Sequence, residues 1–296
     1  MLDGVNMHRI ATEMEWLYEY VGDEKAVELI AKAGFDGFDY SLFKMTQFDW
    51  KNGKGYLREN HPLNSPDYVK HCHKLRRIAE DNGICCIQSH APFPVADELF
   101  RTLLFKSIEI TAEVGGKLIV IHPNNDASVE QNRDMYLELL PFAKECGVKI
   151  AAENMWNWDW ENERALPAAC STARSFVDHI DAVNDDNLVA CLDIGHAEMM
   201  KDGTNAVDLI LALNHRLQAR HIHDNDKIHD RHQIPFSMDI QFEPIIKALQ
   251  KIDYKGDFDF ETIGYAADLK GNDLLGGLKR LCAVARQFVD KFNNKE

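Results

Sequence analysis

Glu153, Asp193, His223 and Glu261 each follow directly on a short apolar run, and each is a side chain that binds cations. Three carboxylates and one imidazole make a hard, oxygen-rich donor set. Such a set suits a divalent metal ion, Mn2+ first, with Zn2+, Mg2+ and Co2+ as alternatives. Taken singly, none of the four is persuasive. An Asp after a strand more often caps the next helix than binds metal, and a lone His there is more often a satisfied polar residue. The repetition at the ends of successive runs is what points to one shared metal site.

A second set follows the same rule. His90 (in SHAPFP), His122 (in IHPNN), His196, Asp230 and His232 (in DRH) also sit just beyond or near the ends of apolar runs. Three readings stay open for them: a second metal centre, hydrogen bonds to substrate, or plain structure. Arg231 and His196 are candidates to hold a substrate hydroxyl or negative group. Trp156, Trp158 and Trp160 alternate, as on an extended segment. Such rings line a sugar site or fold back to bury one another, and Trp156 is the one placed nearest the ligand candidates in sequence.

The elements that must carry these residues recur regularly. Apolar runs at 84–88, 117–121, 148–152, 188–192, 217–222 and 257–260 read as buried strands. They precede His90, His122, Glu153, Asp193, His223 and Glu261. Between them lie helical stretches near 97–114, 129–146, 171–183, 206–213, 242–251 and 274–292, several ended by glycine. Earlier, 4–8 is a weak first strand, 23–32 a helix, 35–40 a strand and 65–82 a helix. The segment 43–66 reads as a long aromatic and glycine-rich loop, a lid or pocket wall. Strand starts recur about every 30 residues, the length of a βα unit. Eight such units predict an α/β chain folded as a single-domain (β/α)8 TIM barrel over residues 1–296, with the strand ends converging on one mouth. An open doubly wound sheet is the rival, and the sequence lacks the glycine-rich phosphate loop that would favour it.

The bulk numbers bound the function. A chain of 296 residues with 45% hydrophobic content suits one barrel. The formal charge of −15 weighs against nucleic acid as a partner, and the only basic cluster, Lys74-Leu75-Arg76-Arg77, falls on a predicted helix. No apolar run is long enough for a membrane span. The N-terminus has no export pattern, so a cytoplasmic location is expected. Seven cysteines without a C-x-x-C predict reduced thiols rather than a disulfide framework or a thiolate zinc site. The expected partner is a small sugar or cyclitol, and a homo-oligomer is left open.

In order along the chain, AGFDGFDY, SHAPFP, VIHP, ENMW, LDIGHA, HIHDND followed by DRH and Pro, and DFDFE together resemble the xylose-isomerase-like barrel superfamily. That group includes sugar and sugar-phosphate isomerases and epimerases, inosose dehydratases and endonuclease-IV-type enzymes. The resemblance implies that Glu153, Asp193, His223 and Glu261 hold a single metal in the epimerase-like branch, with Glu153 and Glu261 also acting as the acid/base pair. It equally implies that His90, His122, Glu153, Asp193, His196, His223, Asp230, His232 and Glu261 match the trinuclear zinc set of the endonuclease-IV branch. The expected activity is a metal-dependent isomerase or epimerase of a polyhydroxy carbonyl compound, with an enediolate held on the metal. The alternatives are an endonuclease-IV-like zinc phosphodiesterase, a sugar or cyclitol dehydratase or lyase, and a non-catalytic barrel that binds a sugar or a partner chain. Two departures stand out. The segment Pro235-Phe236-Ser237-Met238 lacks the glycine usual after the DRH motif. LDIGHAEMMKDG lacks the Thr and Ala-Ala-Gly of the endonuclease type.

Overall fold

In the computed structural model, which describes residues 8–200 and 204–294, eight parallel strands close into a barrel. In chain order they are Ile10–Glu13, Gly37–Ser41, Cys85–His90, Leu118–Val120, Lys149–Glu153, Leu188–Asp193, Leu217–His221 and Phe258–Phe260. They are called barrel strands one to eight below. Each pairs with its neighbour in the chain, and strand one closes against strand eight through Ile10 opposite Phe258. Helices return the chain between strands, so the expected (β/α)8 barrel is the observed one.

Side-chain alternation sorts the strands into two faces. Ile119, Ile121, Ile150, Ala152, Leu188, Ala190, Leu192 and Ile222 belong to the large core shared with the helices. Val120, Ala151, Val189, Cys191 and Ala219 form a separate small cluster inside the barrel. Two residues further along the same inward face come His122, Glu153, Asp193 and His221. Period two therefore lifts an apolar plug into a polar mouth within a single step.

Local signals place the helices. Asp97, Ser128, Thr172 and Asn205 each accept a backbone N–H as N-caps, and Ser128 with Gln131 forms a full capping box. The helix Glu15–Ala33 stops at Gly34, whose φ of 103° is left-handed. It begins well before the expected residue 23, because the chain breaks at Gly22 (φ 72°, ψ 165°) and resumes the helix beyond it.

Three further differences have physical reasons. Of the expected first strand at 4–8, all but His8 lies outside the described residues. The observed strand, Ile10–Glu13, reads IATE, and its polar Thr12 and Glu13 hide it from an apolar-run criterion. The segment 43–66 contains the antiparallel hairpin Thr46–Asp49/Lys54–Leu57, and the tryptophan segment is a second hairpin, Trp156–Asp159/Arg164–Pro167. Both turns are tied identically. Asp49 accepts from the Lys51 and Asn52 N–H groups and the Asn52 amide, while Asp159 does the same with Glu161 and Asn162. No helix among the described residues is long and apolar enough to cross a membrane. All seven cysteines are free.

Candidate active site

At the C-terminal end of the barrel, the carboxylates and imidazoles meet in neighbouring groups, among them one of His90, His221 and Glu261. Glu153, Asp193, His221 and Glu261 offer ligand atoms all within 4.8 Å of one another. His90, His122 and Glu153 form a second group, and His196, His223, Asp230 and His232 a third. Glu153 links the first two: its Oε2 lies 3.1 Å from His90 Nε2 and 3.0 Å from His122 Nε2, and its Oε1 lies 3.0 Å from His221 Nδ1. Asp193 links the first and third, with Oδ1 3.1 Å from His223 Nε2. His223 Nε2 is also 3.5 Å from Asp230 Oδ1. His221 Nδ1 thus lies 3.0 Å from Glu153, 3.9 Å from Asp193 and 3.4 Å from Glu261, whereas the expected fourth ligand, His223, meets Asp193 and Asp230 and falls in the third group.

The histidines are oriented by the backbone. His90 Nδ1 donates to the Ala91 carbonyl (3.0 Å), His196 Nδ1 to Asn154 (2.9 Å) and His232 Nδ1 to Glu261 (2.9 Å). A carbonyl only accepts, so each Nδ1 carries a proton and each Nε2 is the atom turned to the carboxylates of the cavity. That is the ligand tautomer and the orienting device seen around metal ions. Asn154 acts twice more. Its amide donates to the Asp193 carbonyl and its oxygen accepts the Asp193 N–H, which clamps strand five to strand six beside the ligands.

The electrostatics fit a cation. Burial alone would raise the Glu153 carboxyl, but His221 and His122 overcome it and hold it well below the usual range. Asp230 is likewise held down, against burial, by His232 and His196. Burial pushes His122 down to about 4 despite Glu153. For His232, burial is outweighed by Asp230, which raises it to about 10. Asp193 Oδ2, His221 Nε2 and Asp230 Oδ1 are buried without any hydrogen-bond partner. Orphaned atoms of this kind among convergent donors are what a bound divalent ion would satisfy.

The other candidates lie at the rim. Trp156 is half-buried, with its ring 6.2 Å from that of His196, and Trp158 and exposed Trp160 lead outward from it. Arg231 is turned to solvent. Its Nε donates to Asp226 at 3.1 Å, and its guanidinium also meets His229, so it stands beside the ligand groups rather than among them.

The Xylose isomerase-like TIM barrel family matches residues 27–281. The chain belongs to this family. Among curated relatives, it is 26% identical over 268 residues to the uncharacterized protein MJ1311 of Methanocaldococcus jannaschii, covering 84% of this chain and 82% of that one. Among solved structures, it resembles L-ribulose 3-epimerase at TM-score 0.71 and 17% identity, covering 97% of this chain and 96% of that chain. It also resembles IolI with a bound zinc atom at TM-score 0.70 and 18% identity, covering 95% and 99%. At these identities the solved structures share the fold.

Sequence reasoning did not single out His221, Asn154, Asp39 or Asp259. His221 was legible in principle: it ends the strand Leu217–His221 two residues before His223, and an extended chain puts both on the same face. Asp224 was also missed. It pins the rim loop by accepting the N–H groups of Asn225, Ser237, Met238 and Ile240. That carboxylate organises the turn in the segment that lacks the usual glycine.

Proposed function

We propose that the protein is a metal-dependent epimerase or isomerase of a sugar or related polyhydroxy carbonyl compound. The observation that carries this reading is the convergence of Glu153, Asp193 and Glu261 with His221 in one buried group, with His223 against Asp193 at its side. In this reading Glu153, Asp193, His223 and Glu261 hold the ion, and Mn2+ is the best match to the donor set. When bound, the ion polarises the substrate carbonyl and the adjacent hydroxyl, which acidifies the carbon-bound proton between them. Glu153, kept ionised by His221 and His122, is poised to take that proton. Glu261 returns it to the opposite face, or to oxygen for an isomerisation. His221 Nδ1 sits 3.0 Å from Glu153 and 3.4 Å from Glu261, and so fixes the spacing of the pair. Trp156 covers the site and His196 holds a hydroxyl. Small sugars named for the neighbouring fold, such as L-ribulose, are reasonable first substrates.

The test is exchange of solvent deuterium into ketoses and cyclitols, followed by NMR with Mn2+-loaded enzyme. Glu153→Gln abolishes exchange even at saturating Mn2+, where the metal content measured in parallel shows the variant to be loaded. Exchange at the wild-type rate in the loaded variant would refute the role of Glu153. A second reading has one observation behind it. His90 with His122, and His196 with His223, Asp230 and His232, offer two further ligand groups, as a multi-zinc phosphodiesterase would need. About three zinc ions per chain with cleavage of a phosphodiester would favour it, and one ion per mouth favours the epimerase.

A further inference from the structure

Beneath the mouth, the barrel is not filled with apolar side chains on all sides. Glu13, Asp39 and Asp259 are each about 1% exposed and point inward from strands one, two and eight; Asp39 and Asp259 face His221 and Gln88, and Glu13 pairs in register with Asp39. Burying three carboxylates together is costly unless positive charge joins them. No Lys or Arg makes an ion pair with any of the three among the described residues. Arg220, next to His221 on strand seven, faces the other way, with its guanidinium stacked on Tyr254 and Phe258. Hydrogen bonds cover only part of the cluster. Gln88 Nε2 donates to Asp39 Oδ2 at 2.8 Å and reaches Asp259 Oδ2 at 3.5 Å, and Ser41 Oγ reaches Asp39 Oδ1 at 3.5 Å.

The unsatisfied atoms converge. His221 Nε2, Asp259 Oδ1 and Glu13 Oε2 are buried without a partner. His221 Nε2 is 3.8 Å from Asp39 Oδ2. That is too long for a hydrogen bond, yet it is an ordinary separation for two ligands of one ion. Donors at about 2.1 Å from a common octahedral ion lie roughly 3 to 4.2 Å apart. One ligand atom each from Asp39, His221 and Asp259 lies within 4.8 Å of the others, so a small closure would complete such a site.

We propose that the floor of the barrel holds a further divalent cation, bound by Asp39, Asp259 and Nε2 of His221, with Glu13 adding charge. Two carboxylates and one imidazole suit Mn2+, Mg2+ or Fe2+. The consequence reaches the mouth. A cation on Nε2 locks His221 in the tautomer whose Nδ1–H points at Glu153 and Glu261. The floor ion is structural and positioning, and the substrate does not touch it.

The test is an anomalous difference map from crystals of the full chain produced and loaded with Mn2+, together with metal counting on the same protein. The expected result is a peak about 2.1–2.3 Å from Asp39, Asp259 and His221, below and separate from any peak at Glu153 and Asp193. Asp259→Asn and Asp39→Asn lower the Mn2+ count by one per chain and leave the mouth peak in place. A wild-type map with a full mouth peak and an empty floor would overturn the proposal, since the floor carboxylates would then hold protons. If both variants fail to fold, the wild-type map decides alone. A floor peak without a mouth peak would sink the epimerase reading and leave this inference standing.

Discussion

Gly195→Ala tests how tightly the site is built. Gly195 lies in the helix Ile194–Met199 that begins directly after Asp193. Its backbone is not in the left-handed region, so an alanine there is not strained by conformation. Space is the obstacle: a Cβ would sit 1.9 Å from His223 Cε1, 2.4 Å from Nε2 and 2.6 Å from Nδ1. Comfortable carbon contacts begin at about 3.5 Å, so the ring must shift by roughly 1.5 Å. It has little room to do so. His223 stacks on His232 with ring centroids 3.9 Å apart, and Asn225 holds the Gly195 carbonyl at 3.0 Å. Overpacking of this kind costs about 1–3 kcal/mol, which for a chain of this size lowers Tm by roughly 2–5 °C. The fold survives. The site does not, because a displacement of about 1 Å costs on the order of 100-fold in a positioned group. Mn2+ titration by calorimetry and a crystal structure of the variant check this. The expected outcome is a displaced His223 and metal affinity weakened on the order of 100-fold. His223 within about 0.5 Å of its original place, with unchanged affinity, would show that the close approach does not constrain the site.

Two further predictions concern stability. His61 is buried, stacks on Tyr18 and accepts the Leu63 N–H at Nδ1. Burial pushes its pKa down to about 4, below an unfolded value near 6.5. The unfolded chain therefore binds the extra proton first, and stability falls as pH drops from about 6.5 to 4, by about 3 kcal/mol from this group. His61→Gln removes that component, so urea midpoints at pH 7 and pH 4.5 lie closer together in the variant. An equal gap in both proteins would exclude His61 as the cause. Arg220 carries a buried guanidinium whose three nitrogens have no hydrogen-bond partner. Stacking on two rings returns roughly 2 kcal/mol against a desolvation cost of several. Arg220→Met is expected to be neutral or stabilising by about 1–3 kcal/mol in chemical denaturation, and a loss above about 1 kcal/mol would contradict that balance.

The parts legible in the sequence share one property: a local signal agrees with the global fold. The strand Lys149–Glu153 and the helix Val129–Glu145 fall within a residue of expectation, because an apolar run, a Ser cap and Gly147 all mark the same boundaries. Strand one failed that test. Four residues with Thr and Glu among them carry no apolar signature, and their burial comes from neighbours distant in sequence. The two hairpins were hidden for a related reason. Their pairing is antiparallel and outside the barrel, and their turns depend on an Asp and an Asn three residues apart rather than on a hydrophobic period.

His221 shows where reading strand ends alone stops short. A search for the polar residue after an apolar run finds His223 and passes over His221, which lies inside the strand Leu217–His221. In a closed barrel the relevant coordinate is the inward face, where Ala219, His221 and His223 follow at every second position. The same rule along strand eight puts Asp259 under Glu261, and along strand three it puts Gln88 under His90. His223, Glu261 and His90 therefore each have a polar residue one layer down, whereas Val120, Ala151 and Cys191 of the apolar plug lie beneath His122, Glu153 and Asp193. The sequence pattern DFDFE and the triplet H-I-H are consequently two-layer signals: in the proposed site the second acidic or imidazole group faces the mouth, and the first lies one layer beneath it. Changing a lower residue should shift the metal affinity and pH profile of the upper one. A purely apolar plug would show no such coupling.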